Sequence, residues 1–289
     1  MVDLIGETKA LQTSVAPEGA VISWFNIKGY LIPTLSLLLF GIAWELFAHL
    51  SAISQVLLPP PSASLVRLVE MMGPGDGSAP SYLMLRHIGA TLVGLLVGFI
   101  AAALVSSAVG LLMGLNKTIY EWLNPIISLF MVIPTVAIVP VIILWSGLGM
   151  KTVIIIVALG ACFPIIFTAA AGVQSIPKKM IWAAQTAGAN RQQILFTVVI
   201  PATMPYLITG HKLALGRAWR AVLAGEIFAS TAYGIGFMIY DARTFLDTQA
   251  MFAGLIIVGI LGLVLQSLFF RYIEKATIER WGVVSQKDI

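Results

Sequence analysis

The stretch from Trp182 to Pro201, WAAQTAGANRQQILFTVVIP, decides how the rest of the chain reads, because it is a long polar break inside an apolar second half. Just upstream, Ser175 offers a helix N-cap and Pro177 falls near the first turn, where a missing N–H costs nothing. That helix is expected to run to about Ala187, where Gly188 can take the left-handed conformation that ends a helix. Asn190 can cap a second helix, with Gln193 three residues on as in a capping box, and Pro201 is expected to close it. Residues 175–201 therefore read as two short helices with a glycine elbow, carrying Lys178, Lys179 and Arg191. A folded, basic hairpin between two apolar runs has the character of a docking part.

Working outward, the chain has 289 residues, of which 59% are hydrophobic and 10% charged, and its mean hydropathy is +0.96. A soluble domain carries about 25% charged residues, so the fold class is an all-α integral membrane protein. The net charge of +4 is no signal for nucleic acid, since Lys and Arg lie mostly between and beyond the apolar runs. The single cysteine, Cys162, excludes an intrachain disulfide. Residues 1–28 include Asp3, Glu7 and Glu18 and lack a signal-peptide core, so they read as a cytoplasmic tail. The membrane part is then 29–275, with a second cytoplasmic tail over 276–289.

About six spans are expected, since ~20 apolar residues cross a bilayer: 30–50, 87–115, 122–145, 152–173, 204–229 and 250–270. Between the first two come a proline run, a short amphipathic helix from about Ser62, and a loop, GPGDGSAP, over 73–80. In the second span Gly94 and Gly98 form a GxxxG pair, with Ala90 and Ala102 on the same ridge, so another helix can approach closely. A polar link, NKTIYE, leads to the third span, which holds Pro125, Pro134 and Pro140 and should be kinked or broken. Its purpose is open between a structural kink and a lining for a passage. The segment TAYGIGFMIYDARTFLDT reads as a loop before the last span. Six spans place both termini and the hairpin on one side. That side holds Lys9, Lys28, Lys117, Lys178, Lys179, Arg191, Arg271, Lys275, Arg280 and Lys287, against Arg67, Arg86, Lys151 and Arg243 on the other. The positive-inside rule puts the richer side in the cytoplasm.

No catalytic or metal site is legible. A P-loop needs its Gly-Lys-Ser/Thr after a strand, and GLGMKT and GLNKT have the wrong spacing. His49, His87 and His211 are scattered and read as packing or interfacial residues. The charges inside spans are the sharper signal, because an arginine at mid-span costs about 2.5–3.5 kcal/mol. Arg217 and Arg220, three residues apart, share a helix face and could line an anion passage together with Glu226, which projects from roughly the opposite side. The alternative is that they pair with carboxylates on other helices, such as Glu45, and only hold the bundle together.

The hairpin resembles the "EAA" signature of permease subunits from bacterial ABC importers, Glu-Ala-Ala followed by Gly and then Ile-x-Leu-Pro. Ala183, Ala184, Gly188 and Pro201 match it, Ala189 follows the glycine, and Val198 and Ile200 are conservative replacements, while Trp182 stands where the family has Glu. LLPPPS, VIILWSGLG, HKLALGRAWR and DARTFLDT extend the resemblance to permeases for nitrate, taurine and aliphatic sulfonates over roughly residues 30–282. The resemblance implies a type I importer architecture, in which the hairpin is a coupling helix inserted into a cleft on an ABC ATPase. It implies two permease copies, here a homodimer, around a central pathway in the bacterial inner membrane, fed by an extracytoplasmic solute-binding protein. ATP and magnesium would then sit on the ATPase and no cofactor on this chain, which is not itself an enzyme. The rival is a self-contained secondary transporter or channel for a small anion, against which stands the lack of an inverted repeat.

Overall fold

The computed structural model describes residues 19–74 and 82–277. These form α1 (Gly19–Leu50), α2 (Pro61–Met72), α3 (Leu83–Leu115), α4 (Lys117–Val132), α5 (Thr135–Ser146) and α6 (Met150–Gln174). Then follow α7 (Lys178–Thr186), α8 (Arg191–Ile194), a π-turn (Leu195–Val199), α9 (Ile200–Ala229), α10 (Ile235–Thr244) and α11 (Thr248–Thr277). The loop expected over 73–80 and the two tails lie largely outside the described residues. Chain contacts divide the protein into two units, 1–63 and 64–289. In the first, α1 begins at Gly19, so residues 19–28, read as tail from their polarity, are helical.

In the second unit, α3, α6, the run Arg191–Ala229 and α11 are each long and apolar enough to cross a membrane. The pair α4–α5 would make a further span, bent by 103°. The bend falls where the prolines predict a break. Ile133 takes extended dihedrals, φ −72° and ψ 123°, because a residue before proline is pushed out of the helical region, and Pro134 then starts α5. The link NKTIYE is shorter than its polarity suggests. Only Asn116 lies outside helix, and its side chain accepts the N–H groups of Thr118 and Ile119, so the polar residues form the first turn of α4. The segment before the last span is not a loop throughout. Ile235, Met238 and Ala242 recur at helical spacing on one buried face, and α10 forms on them. In α2, Ser64, Leu68 and Met71 make the buried stripe of the expected amphipathic helix.

Helix α6 lies between α3 and α9, and small residues bring the backbones together. A methyl group at Gly98 would come 2.7 Å from both the Ile154 carbonyl oxygen and the Val157 side chain. The core follows from this approach, with Leu95, Phe99 and Ala102 of α3 meeting Val153, Val157 and Ala161 of α6 and Ala214, Ala218 and Val222 of α9. Helices in lipid associate by such packing rather than by a hydrophobic driving force. Gly98→Ala should therefore destabilise the detergent-solubilised protein by about 1–3 kcal/mol, read as a lower unfolding temperature. Gly89→Ala, with nothing within 4 Å of the added carbon, should be neutral or slightly stabilising. Equal effects of the two substitutions would contradict the close-packing account.

Candidate functional site

The hairpin forms, with two differences from its sequence reading. Helix α7 is capped by Pro177 in extended conformation, and Ser175 is no cap, because its hydroxyl donates to Gly172 O at 2.8 Å. The end of α7 is a Schellman motif: Ala189 N–H donates to Ala184 O at 3.0 Å and Gly188 N–H to Gln185 O at 2.9 Å. Gly188 carries the required left-handed backbone, φ +82°. Asn190 then caps α8, its Oδ1 accepting Gln193 N–H at 2.9 Å, while Gln193 Oε1 accepts Asn190 N–H at 2.8 Å. That reciprocal pair is the capping box expected from the spacing.

The second difference is Pro201, which closes nothing. Residues Arg191–Ala229 form one run of 39 helical residues, passing through the π-turn. Ile200 N–H donates to Leu195 O, five residues back, so the ladder has already left its α-register just before the residue that has no N–H to give. The hairpin is thus joined without a break to α9.

Inward, Ile181, Ile194 and Leu195 pack against Val173, Ile176 and Val199. Outward, Lys178, Lys179 and Arg191 are exposed, together with Trp182 (60%), Phe196 (66%) and Met180 (46%). Of the other motif residues, Ala183 and Gly188 are exposed, and Ala184, Ala189, Val198, Ile200 and Pro201 half-buried. A hairpin with apolar side chains facing outward among cations is suited to a partner's apolar cleft.

The structure does not gather Arg217, Arg220 and Glu226 into one site. Arg217 is half-buried, and Arg220 is exposed, its Nε donating to Gly216 O at 3.1 Å. Among the described residues neither arginine makes an ion pair. Arg220 edges a groove of about 340 Å³ between α9 and α11, beside Trp219 and Gln266. Glu45, a possible structural partner for them on sequence grounds, accepts instead from Ser62 N–H at 3.0 Å and Ser62 Oγ at 2.6 Å.

Glu226 is fully buried at the far end of α9, where its Oε2 accepts Gly236 N–H at 2.8 Å. Gly234, φ +147°, brings the backbone so close that a methyl there would lie 2.6 Å from the Glu226 carboxyl carbon. Across from it His87 Nδ1 lies 3.0 Å from Gly234 O, and Thr91 Oγ1 accepts Ile235 N–H at 2.9 Å. Nothing local links His87 to a glycine 147 residues away, so sequence reading could place His87 only as a packing residue. Alongside, Arg67 Nη2 donates to Asp247 Oδ2 at 2.9 Å and Nη1 to Glu70 Oε2 at 3.1 Å. Burial alone would pull the Arg67 guanidinium down, but the bonds from Asp247 and Glu70 leave it above its ordinary value. Arg67, Asp247 and His87, with Tyr233, Phe237 and Asp241, border a cavity of about 460 Å³.

The arrangement defines a class of protein, a helical membrane protein with a capped hairpin that faces outward. The fold agrees with a chain of the MetNI methionine ABC transporter solved in inward-facing conformations, at a TM-score of 0.59 and 22% identity, over 68% of this chain and 97% of that one. Residues 94–279 match the family of binding-protein-dependent transport system inner membrane components, and the chain belongs to it. Similar proteins include the taurine transport system permease protein of Escherichia coli (strain K12), 36% identical over 81% of this chain and 84% of that one. The putative aliphatic sulfonates transport permease protein of Bacillus subtilis (strain 168) is 28% identical over 88% of this chain and 87% of that one. The nitrate import permease protein of Leptolyngbya laminosa is 32% identical over 66% and 68%. The chain is thus a multi-pass inner-membrane permease of an ABC importer, a family without an ATPase site of its own, and the secondary-transporter reading is not favoured.

At the elbow, space is open around Gly188, so only its dihedral resists substitution. Gly188→Val should cost at least ~1–2 kcal/mol locally and lower energised uptake by an order of magnitude or more, while Gly188→Asn, which tolerates the left-handed region, should keep most of it. Uptake by the valine variant at the normal rate would show that the elbow is not required.

Proposed function

We propose that this chain forms the translocation pathway for a small anionic or zwitterionic solute, as one of two identical copies, and that its hairpin couples that pathway to a separate ATPase. The observation that carries the coupling role is the capped, outward-facing hairpin continuous with α9. Trp182, Ala183, Ala184, Gly188, Ala189, Val198, Ile200 and Pro201 are its motif residues. ATP and magnesium are held by the ATPase dimer, and this chain contributes no ligand to them. An extracytoplasmic binding protein delivers the solute, and the hairpin and both termini face the cytoplasm, in keeping with the excess of Lys and Arg on that side.

The solute class is supported by two features. The relatives named for taurine, sulfonates and nitrate share a small, oxygen-rich anionic group. In this chain Arg217 and Arg220 lie in α9 without a carboxylate partner among the described residues, which leaves their charge available to an anion; Glu226, by contrast, would act on the passage through the loop it anchors. The test is purification from the native membrane followed by reconstitution with the neighbouring binding protein. A P-loop ATPase should copurify, and hydrolysis should rise when loaded binding protein is added. A chain that emerges alone and moves solute without ATP would overturn the reading. In the same vesicles, Arg217→Gln with Arg220→Gln should cut anion uptake about tenfold or more while assembly with the ATPase is retained; parallel loss of both would assign the arginines a structural role instead.

A further inference from the structure

The π-turn before α9 has a geometric consequence for the hairpin. The face of α9 turned to α6 runs through Thr203, Leu207, Gly210 and Ala214, all buried. An unbroken α-helix advances about 100° per residue. Continued backward from Thr203, it would bring Phe196 and Gln192 to within about 20° of that face and would turn Ile194 to the opposite side, about 180° away. The structure shows the reverse. Ile194 and Leu195 pack inward on Val173, Ile176 and Val199, while Gln192 is exposed and Phe196 is 66% exposed. The one residue absorbed by the five-residue step from Leu195 O to Ile200 N–H accounts for this change of phase.

We propose that the π-turn Leu195–Val199 aims the hairpin, and that Phe196, turned outward by it, is a contact residue for the ATPase subunit. The inference rests on the coupling role proposed above. With an ordinary α-register, Phe196 would be covered by the protein's own core, and Ile194, which anchors α8 to that core, would face water. The extra residue turns Phe196 from about 20° to about 120° off that face and brings Ile194 from about 180° to about 80°, with Leu195 moving to within about 20° of it. Phe196 then joins Trp182 and Met180 as the large apolar side chains that this basic, polar segment exposes. Three such groups beside Lys178, Lys179 and Arg191 suit an apolar cleft with an acidic rim on the partner. Pro201 stabilises the arrangement, since a π-turn next to it leaves its missing N–H less costly than it would be inside an intact ladder.

The test uses the full complex and two variants. Deleting Thr197, whose exposed side chain bonds only locally to Gln193 O, removes the extra residue and lets 191–229 run as an α-helix. Phe196→Asp changes only the exposed contact, and Thr197→Ala keeps the length as a control. The deletion and Phe196→Asp should each retain at least tenfold less ATPase on purification and lose stimulation by loaded binding protein, with Thr197→Ala unchanged. If the deletion variant fails to reach the membrane, Phe196→Asp decides alone. Wild-type levels of ATPase association and stimulated hydrolysis in Phe196→Asp would overturn this inference and leave the coupling role intact. A wild-type chain that brings no ATPase would overturn both.

Discussion

Everything in the second unit depends on how closely α6 can approach its two neighbours. Inside a bilayer there is no water to exclude, so the helices gain by dispersion contact at short range and must shed side chains to reach it. Glycines do this from both directions. Gly98 and Gly114 of α3 let α6 in, and Gly172 of α6 receives the Thr203 and Tyr206 side chains of α9 at what would be 2.7 Å from an added methyl. The resulting three-helix core holds the backbone polar groups of each span in its own ladder, as the medium requires. The broken pair α4–α5 and the groove beside Arg220 are arranged around that core.

One consequence is mechanical. Helix α9 is clamped to α6 along its length, continues into the hairpin at one end, and ends at the buried Glu226 at the other. At 1.5 Å per residue the run of 39 residues spans about 58 Å. A displacement of the hairpin therefore has a stiff path to the loop that Glu226 holds through Gly236 N–H. The two glycines at that end are as crowded as the interhelical ones, Gly234 by the Glu226 carboxyl group and Gly236 by the Leu223 carbonyl oxygen. Closeness again serves to transmit position, here between a side chain and a loop. The opposite end is set by a rotation: one residue absorbed in a π-turn decides which side chains face the core and which face outward.

Much of this was legible in the order of residues, where the causes are local. Membrane insertion, the break at Pro134, the elbow at Gly188 and the box between Asn190 and Gln193 rest on interactions within a few positions, so pattern and spacing determine them. The cap at Ser175 and the stop at Pro201 misled for the same reason, since local preference names what a residue can do and its neighbours in space decide whether it does. Ser175 bonds backward to Gly172, and Pro201 is accommodated by the π-turn. What only the tertiary structure decided is which faces meet: α6 as the common partner of α3 and α9, the meeting of His87 with a glycine 147 positions away, the burial of Glu226 as an anchor, and the outward turn of Phe196. These depend on the rotational phase of long helices packed side by side, and a single absorbed residue changes that phase by about 100° without leaving a mark on composition or periodicity.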